Sequence, residues 1–163
     1  ECGVNKGGLA RTVIHYVDFP KLDKKFYLLD TFQGLSEKYL TDGEKKRERE
    51  WSVAWGYEEC YDLVKETFKD FNVEIIRGPV PETLPQVKTE KVCYLSLDMN
   101  CALPEIAAAE FFWEKLVSGA VMVLDDYGWA NHDEQKHAFD RFAASKQVQI
   151  LPLPTGQGLI IKP

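Results

Sequence analysis

The sequence predicts a doubly wound α/β fold: a mostly parallel sheet with helices on both faces and an antiparallel hairpin at its C-terminal end. Short β-rich apolar runs alternate with segments of helical periodicity, which is the rhythm of βαβ units. Most of these runs stop at an acid or a glycine, the residues that serve a chain leaving a buried sheet. The last two runs lie too close together to hold a helix between them, so they are expected to pair antiparallel.

Taken in order, "ECGVNKGG" (1–8) reads as the end of a strand and a glycine turn into a first helix. A chain opening on a strand end is expected to belong to a longer protein, with residues 1–163 forming one domain. "KKFYLLD" (24–30), "NVEIIRG" (72–78), "KVCYLSLD" (91–98) and "GAVMVLDD" (119–126) are the further strands. Between them, 56–71 carries Tyr57, Cys60, Tyr61, Val64 and Phe68 at helical spacing. The stretch 103–119 places Ile106, Ala109, Phe112, Trp113, Leu116 and Val117 on one face, with Pro104 in the first turn and Gly119 as the cap. A third helix over 133–145 turns Ala138, Phe139 and Phe142 inward. "VQILPLP" and "GLIIKP", separated by "TGQ", form the closing hairpin. Residues 33–55 have little apolar periodicity and several charges, and read as an exposed helix pair or a mobile flap.

Composition narrows the function. The net charge of −6 argues against nucleic acid or an anionic membrane as the main partner. The run "EKKRERE" (44–50) alternates in sign and reads as a solvated helix face. No apolar stretch approaches the length of a membrane span. Cys2, Cys60, Cys93 and Cys101 show no metal-ligand spacing, and fit reduced, mostly buried thiols in a cytoplasmic protein.

Ligands of an open parallel sheet bind beyond the carboxyl ends of the strands. Those ends carry Glu1, Asp30, Asp98 and the pair Asp125–Asp126, so the crevice is strongly acidic. Gly7 and Gly8 allow close approach of backbone to ligand, although a plain tight turn has the same composition. Asp30, about 20 residues further on at the end of the next strand, suits the hydroxyls of a ribose. Glu1 sits where a pyrophosphate would lie, which favours a cationic adenosine ligand over a dinucleotide.

In "VMVLDDYGW" (121–129) two carboxylates stand side by side where an apolar strand leaves the core. "DDYG" also has the composition of an ordinary turn. Asp98 on the neighbouring strand end adds a third acid, and three hard oxygens with room for water suit Mg²⁺ or a similar divalent ion. His15, early in the first helix, reads as structural; His132 is placed to reach the crevice and His137 to lie on the surface.

"ECGVNKGGLA", "LLDTFQGL", "RGPVPETLP", "LSLDMN" and "VLDDYGW" resemble, in order, the motifs of the macrocin O-methyltransferase-like proteins. These are S-adenosylmethionine-dependent methyltransferases of the Rossmann-like class I fold that act on sugar hydroxyls of macrolides and other glycosylated natural products. The resemblance implies that residues 1–163 are an S-adenosylmethionine-dependent methyltransferase domain, with a small glycosylated acceptor as partner. It implies that Glu1, Gly3 and Gly7 hold the methionine part of the cofactor, Asp30 and Thr31 the ribose, and Gly78, Pro79 and Val80 the adenine. It further implies that Asp98, Asp125 and Asp126 bind Mg²⁺, with Asp98 also the general base. The chain has "DMNCALPE" where the family commonly has a more acidic stretch, so sugar specificity is not inherited with the fold. An NAD-dependent oxidoreductase would share Gly7, Gly8 and Asp30, and a non-catalytic cofactor-binding domain would keep Asp30. Homo-oligomerisation is left open by the sequence.

Overall fold

One sheet organises the molecule, and the opening three residues lie at its centre. The computed structural model describes residues 1–54 and 56–163, with backbone alone for 51–54. Cys2 bridges in parallel to Leu29 on one side and to Leu97 on the other. Glu1 and Gly3 bond to Leu29, and Cys2 bonds to Ser96 and Asp98, at 2.9 Å in each case. Alternate residues thus bond to opposite neighbours, as a central parallel strand requires.

On the Leu29 side lies β1 (Phe26–Asp30), paired in parallel with β2 (Val73–Arg77). On the Leu97 side lies β3 (Val92–Leu97), in parallel with β4 (Leu116–Leu124). Beyond β4 the direction reverses: β6 (Gly158–Ile161) is antiparallel to β4, and β5 (Leu151–Pro152) is antiparallel to β6. The expected hairpin is therefore present, with its second strand inside and its first at the edge.

The helices are α1 (Gly8–Tyr16), α2 (Asp42–Ala54), α3 (Tyr61–Phe68), α4 (Ala102–Trp113) and α5 (Asp133–Lys146). Leu28 belongs to one hydrophobic cluster with Ile14 of α1 and with Val64 and Phe68 of α3. Its neighbour Leu29 belongs to the other, with Phe112 and Trp113 of α4 and Phe139 and Phe142 of α5. Adjacent residues of one strand feeding two cores is the period-two signature of a sheet covered on both faces.

Several expectations are corrected. The helix expected over 103–119 ends at Trp113, so Leu116, Val117 and Gly119 belong to β4 and Gly119 caps nothing. α3 begins at Tyr61, leaving Tyr57 and Cys60 in the preceding segment. Residues 33–54 form a short 3₁₀ turn (Glu37–Tyr39) and the one helix α2, not a helix pair; Trp55, the last residue of that stretch, lies outside the described residues. His15 stands exposed in the last turn of α1 rather than early in it. Cys2, Cys60 and Cys101 are buried free thiols, whereas Cys93 is exposed. Among the described residues no helix is long and apolar enough to cross a membrane.

Candidate active site

The carboxyl ends of the parallel strands open on a solvent-accessible cleft lined by the loops that follow them. Gly3, Asp30, Thr31, Gly78, Pro79, Val80 and Asp98 all line it. Of the residues expected to hold the cofactor, Glu1 and Gly7 are outside this lining. Gly7 starts α1 with a left-handed φ of 84°, and a Cβ there would meet the Phe68 ring at 2.6 Å. It shapes the turn from behind.

Asp30 is committed to the loop that follows the opening strand. One oxygen, Oδ2, accepts from the backbone amides of Val4 at 2.6 Å and Asn5 at 2.8 Å. The other, Oδ1, accepts from the Phe32 amide at 2.7 Å and the Thr31 hydroxyl at 3.3 Å. The one proton of the Thr31 hydroxyl is shared with the Gly34 carbonyl, at 2.5 Å. The carboxylate therefore straps the glycine loop to β1 and shapes the cleft floor.

Glu1 is buried, and its Oε2 has no hydrogen-bond partner. Burial pushes its carboxyl up to about 7, with the Ala10 amide acting the other way. An unsatisfied buried acceptor of this kind is costly unless a donor arrives. A cationic amino group would satisfy it, so the residues present fit an amino-acid-bearing cofactor.

On the far side of the cleft Asp98, Asp125 and Asp126 each offer an oxygen, and these atoms all lie within 4.8 Å of one another. The sheet brings them together: Leu97 of β3 is in register with Leu124 of β4, and the Asp125 amide donates to the Leu97 carbonyl at 3.0 Å. Burial, then the charges of Asp125 and Asp126, push Asp98 up to about 8. Asp126 is also raised, chiefly by burial, although the nearby His132 acts the other way. Three carboxylates crowded this closely, with burial disfavouring the charged forms of Asp98 and Asp126, match the donor set of a hard divalent cation.

Residues that sequence reasoning missed complete the arrangement. Gln157 Nε2 donates to Asp125 Oδ1 at 3.0 Å, and Gln135 Nε2 donates to Asp126 Oδ2 at 2.9 Å. Glu105, fully buried, accepts from the Met99 amide at 2.9 Å and from Gln135 at 3.2 Å, and burial raises its carboxyl well above the ordinary range. A signal for two of them existed. Gln135 leads the buried stripe Ala138, Phe139, Phe142 of α5, and Glu105 leads Ala108, Ala109, Phe112 of α4, each a polar residue on an apolar face. His132 Nε2 lies 3.6 Å from Asp126 Oδ1, so this histidine does reach the crevice, while His137 is exposed.

The charged run 44–50 is not simply solvated. Glu44 is buried, accepting from the Thr41 amide at 2.9 Å and from the Ala102 amide at the start of α4 at 2.6 Å. Arg47 donates to the carbonyls of Asn100 and Asn131. Together they seat α2 against the acidic end of the cleft.

A parallel sheet entered at its centre by residues 1–3, an antiparallel hairpin at one edge and a cleft at the strand ends make up the class I methyltransferase fold. The macrocin-O-methyltransferase (TylF) family model matches residues 1–153, and the chain belongs to that family of S-adenosylmethionine-dependent O-methyltransferases. The NAD-dependent reading of Gly7, Gly8 and Asp30 gives way to it. Among solved structures the chain is similar to the O-methyltransferase NovP, with a TM-score of 0.81 at 19% identity over 99% of this chain and 69% of that one. It is similar to CalS11, a TDP-rhamnose 3′-O-methyltransferase of calicheamicin biosynthesis, with a TM-score of 0.65 at 15% identity over 98% of this chain and 68% of that one. It is also similar to the S-adenosylhomocysteine-bound methyltransferase PaMTH1 of Podospora anserina, with a TM-score of 0.60 at 15% identity over 99% and 70%. No curated protein sequence matches.

Proposed function

We propose that this methyltransferase binds a divalent cation, Mg²⁺ or similar, at Asp98, Asp125 and Asp126, and methylates a hydroxyl of a sugar or glycosylated small molecule. The observation that carries this reading is the double position of Asp98. It lines the cleft and belongs to the carboxylate triad, which supports a site where acceptor oxygen and methyl donor come to one residue. The similarity to CalS11, which acts on a sugar, supports the acceptor class.

In this reading Glu1, Gly3 and Gly7 serve the methionine part of S-adenosylmethionine. Asp30 and Thr31 serve the ribose by ordering the loop beside it, and Gly78, Pro79 and Val80 form the adenine wall. A bound divalent ion supplies Lewis acidity, lowering the pKa of a coordinated hydroxyl. Asp98, ionised when a cation offsets the neighbouring carboxylates, is placed to take the hydroxyl proton. The cleft walls hold donor and acceptor in line.

Calorimetric titration with S-adenosylmethionine and with NAD, followed by methyl transfer to TDP-sugars and glycosylated macrolides, tests the assignment. Binding of S-adenosylmethionine alone and transfer that stops in chelator are the expected results. Transfer unaffected by chelator removes the cation from the mechanism.

A further inference from the structure

Gln135 is completely buried, in the first turn of α5, and its side-chain amide is engaged at both ends. Its Nε2 donates to Asp126 Oδ2 at 2.9 Å and to Glu105 Oε1 at 3.2 Å, while its Oε1 accepts from Arg47 Nη2 at 3.4 Å. Arg47 reaches in from α2, and its other bonds go to backbone carbonyls of Asn100 and Asn131.

The polarity of these partners leaves one orientation for the amide. A guanidinium has only donors, an ionised carboxylate only acceptors, and the amide has one end of each kind. Turned over, Gln135 would oppose N–H to N–H on the Arg47 side and oxygen to oxygen on the Asp126 side. In a buried position such mispairing is costly. With Oδ2 of Asp126 held by Gln135, Oδ1 is the oxygen left towards His132. The choice of an amide matters as well. A lysine or arginine in that place would neutralise Asp126 and compete with any cation, whereas a neutral donor orients the carboxylate and leaves its charge available.

We propose that Gln135 is a positioning residue for the cation site: it holds Asp126 in its ligating orientation, and Arg47, by fixing the amide, couples the seating of α2 to capture of the cation. The inference rests on the reading of Asp98, Asp125 and Asp126 as that site. The seating of α2 and cation affinity then influence each other, and by linkage each favours the other equally.

Mg²⁺ titration calorimetry on the wild-type protein, Gln135→Leu, Arg47→Lys and the double variant tests this, at a temperature well below unfolding. Gln135→Leu keeps the bulk and removes both donors; Arg47→Lys keeps the charge and removes the fork. Gln135→Leu is expected to weaken Mg²⁺ binding by about 10- to 100-fold, the usual cost of losing a group that orients a metal ligand. Arg47→Lys is expected to weaken it by about three- to tenfold. The double variant should bind no more weakly than Gln135→Leu alone, because Arg47 acts through the glutamine. In hydrogen exchange, Mg²⁺ should slow α2 in the wild type and not in Gln135→Leu.

Lower thermal stability with unchanged Mg²⁺ affinity makes Gln135 a purely structural residue and overturns the proposal. Additive losses in the double variant overturn the coupling to α2. Should Gln135→Leu fail to fold, Arg47→Lys carries the test, and an unchanged affinity there overturns the coupling. If the wild type binds no Mg²⁺, the cation reading itself falls; if it binds and the variants bind equally, only the present inference does.

Discussion

Gly3 and Asp98 are packed so closely that a Cβ on Gly3 would lie 1.8 Å from the Asp98 carbonyl oxygen. Gly3 also has a φ of 86°, in the left-handed region. The glycine loop after the opening strand and the acidic end of the cleft therefore share a backbone contact that only glycine permits. Gly3→Ala is expected to cost about 3 kcal/mol or more, from the backbone clash and the strained φ together. Urea unfolding of the variant measures it. A loss below about 1 kcal/mol would show that the two strand ends can separate at little cost.

The acidic cluster predicts an unusual stability profile. Burial first, and neighbouring acids after it, place Asp98 at about 8; burial places Glu1 at about 7. Unfolded, both titrate near the ordinary carboxylate values, around 4. Between about pH 4 and pH 8 the folded protein thus holds more protons than the unfolded chain. The stability contributed by these groups is full below that window and is lost as pH rises through the folded values. In chelator, the melting temperature should be higher at pH 5.5 than at pH 8, and Mg²⁺ should narrow the gap by favouring the ionised forms. A melting temperature that climbs from pH 5.5 to pH 8 in chelator contradicts this.

Glu44 is a test of how α2 is held. Its carboxylate accepts the Thr41 amide, and the Thr41 hydroxyl accepts the Glu44 amide at 3.1 Å, which is a capping box. The second oxygen of Glu44 caps α4 through the Ala102 amide. Glu44→Ala removes both and should destabilise the protein by about 1–2 kcal/mol. It should also speed hydrogen exchange in α2 relative to β4. Exchange in α2 of the variant as slow as in β4 would contradict the account of Glu44 as what holds α2.

Much of the frame was legible in the sequence, for reasons that particular residues show. "FYLLD" and "VCYLSL" are apolar strands buried on both faces, and runs of that kind announce themselves. The carboxylates at their ends were legible because topology alone brings Asp98 beside Asp125 and Asp126. The end of α4 was not: Leu116 and Val117 continue the helical spacing, and only the Glu114–Lys115 reversal into β4 ends it. Glu44 and Arg47 look solvated because their partners, Ala102, Asn100 and Asn131, come from distant segments. Local pattern carries no information on such pairings. Asp30 was legible as an acid at a strand end lining the cleft, but its bonds to Val4 and Asn5 required the fold.

The most direct test of the cation-assisted mechanism is methyl transfer from S-adenosylmethionine to glycosylated acceptors, measured against Mg²⁺ concentration for the wild type, Asp125→Asn and Asp98→Asn. Asp125→Asn removes one charge from the triad, so activity should fall by about tenfold or more and recover in part with added Mg²⁺, while S-adenosylmethionine affinity changes little. Asp98→Asn removes a ligand and the proposed base together, so its activity should fall further, by about 100-fold or more, and resist rescue by the ion. Full activity of Asp98→Asn in chelator would contradict the mechanism.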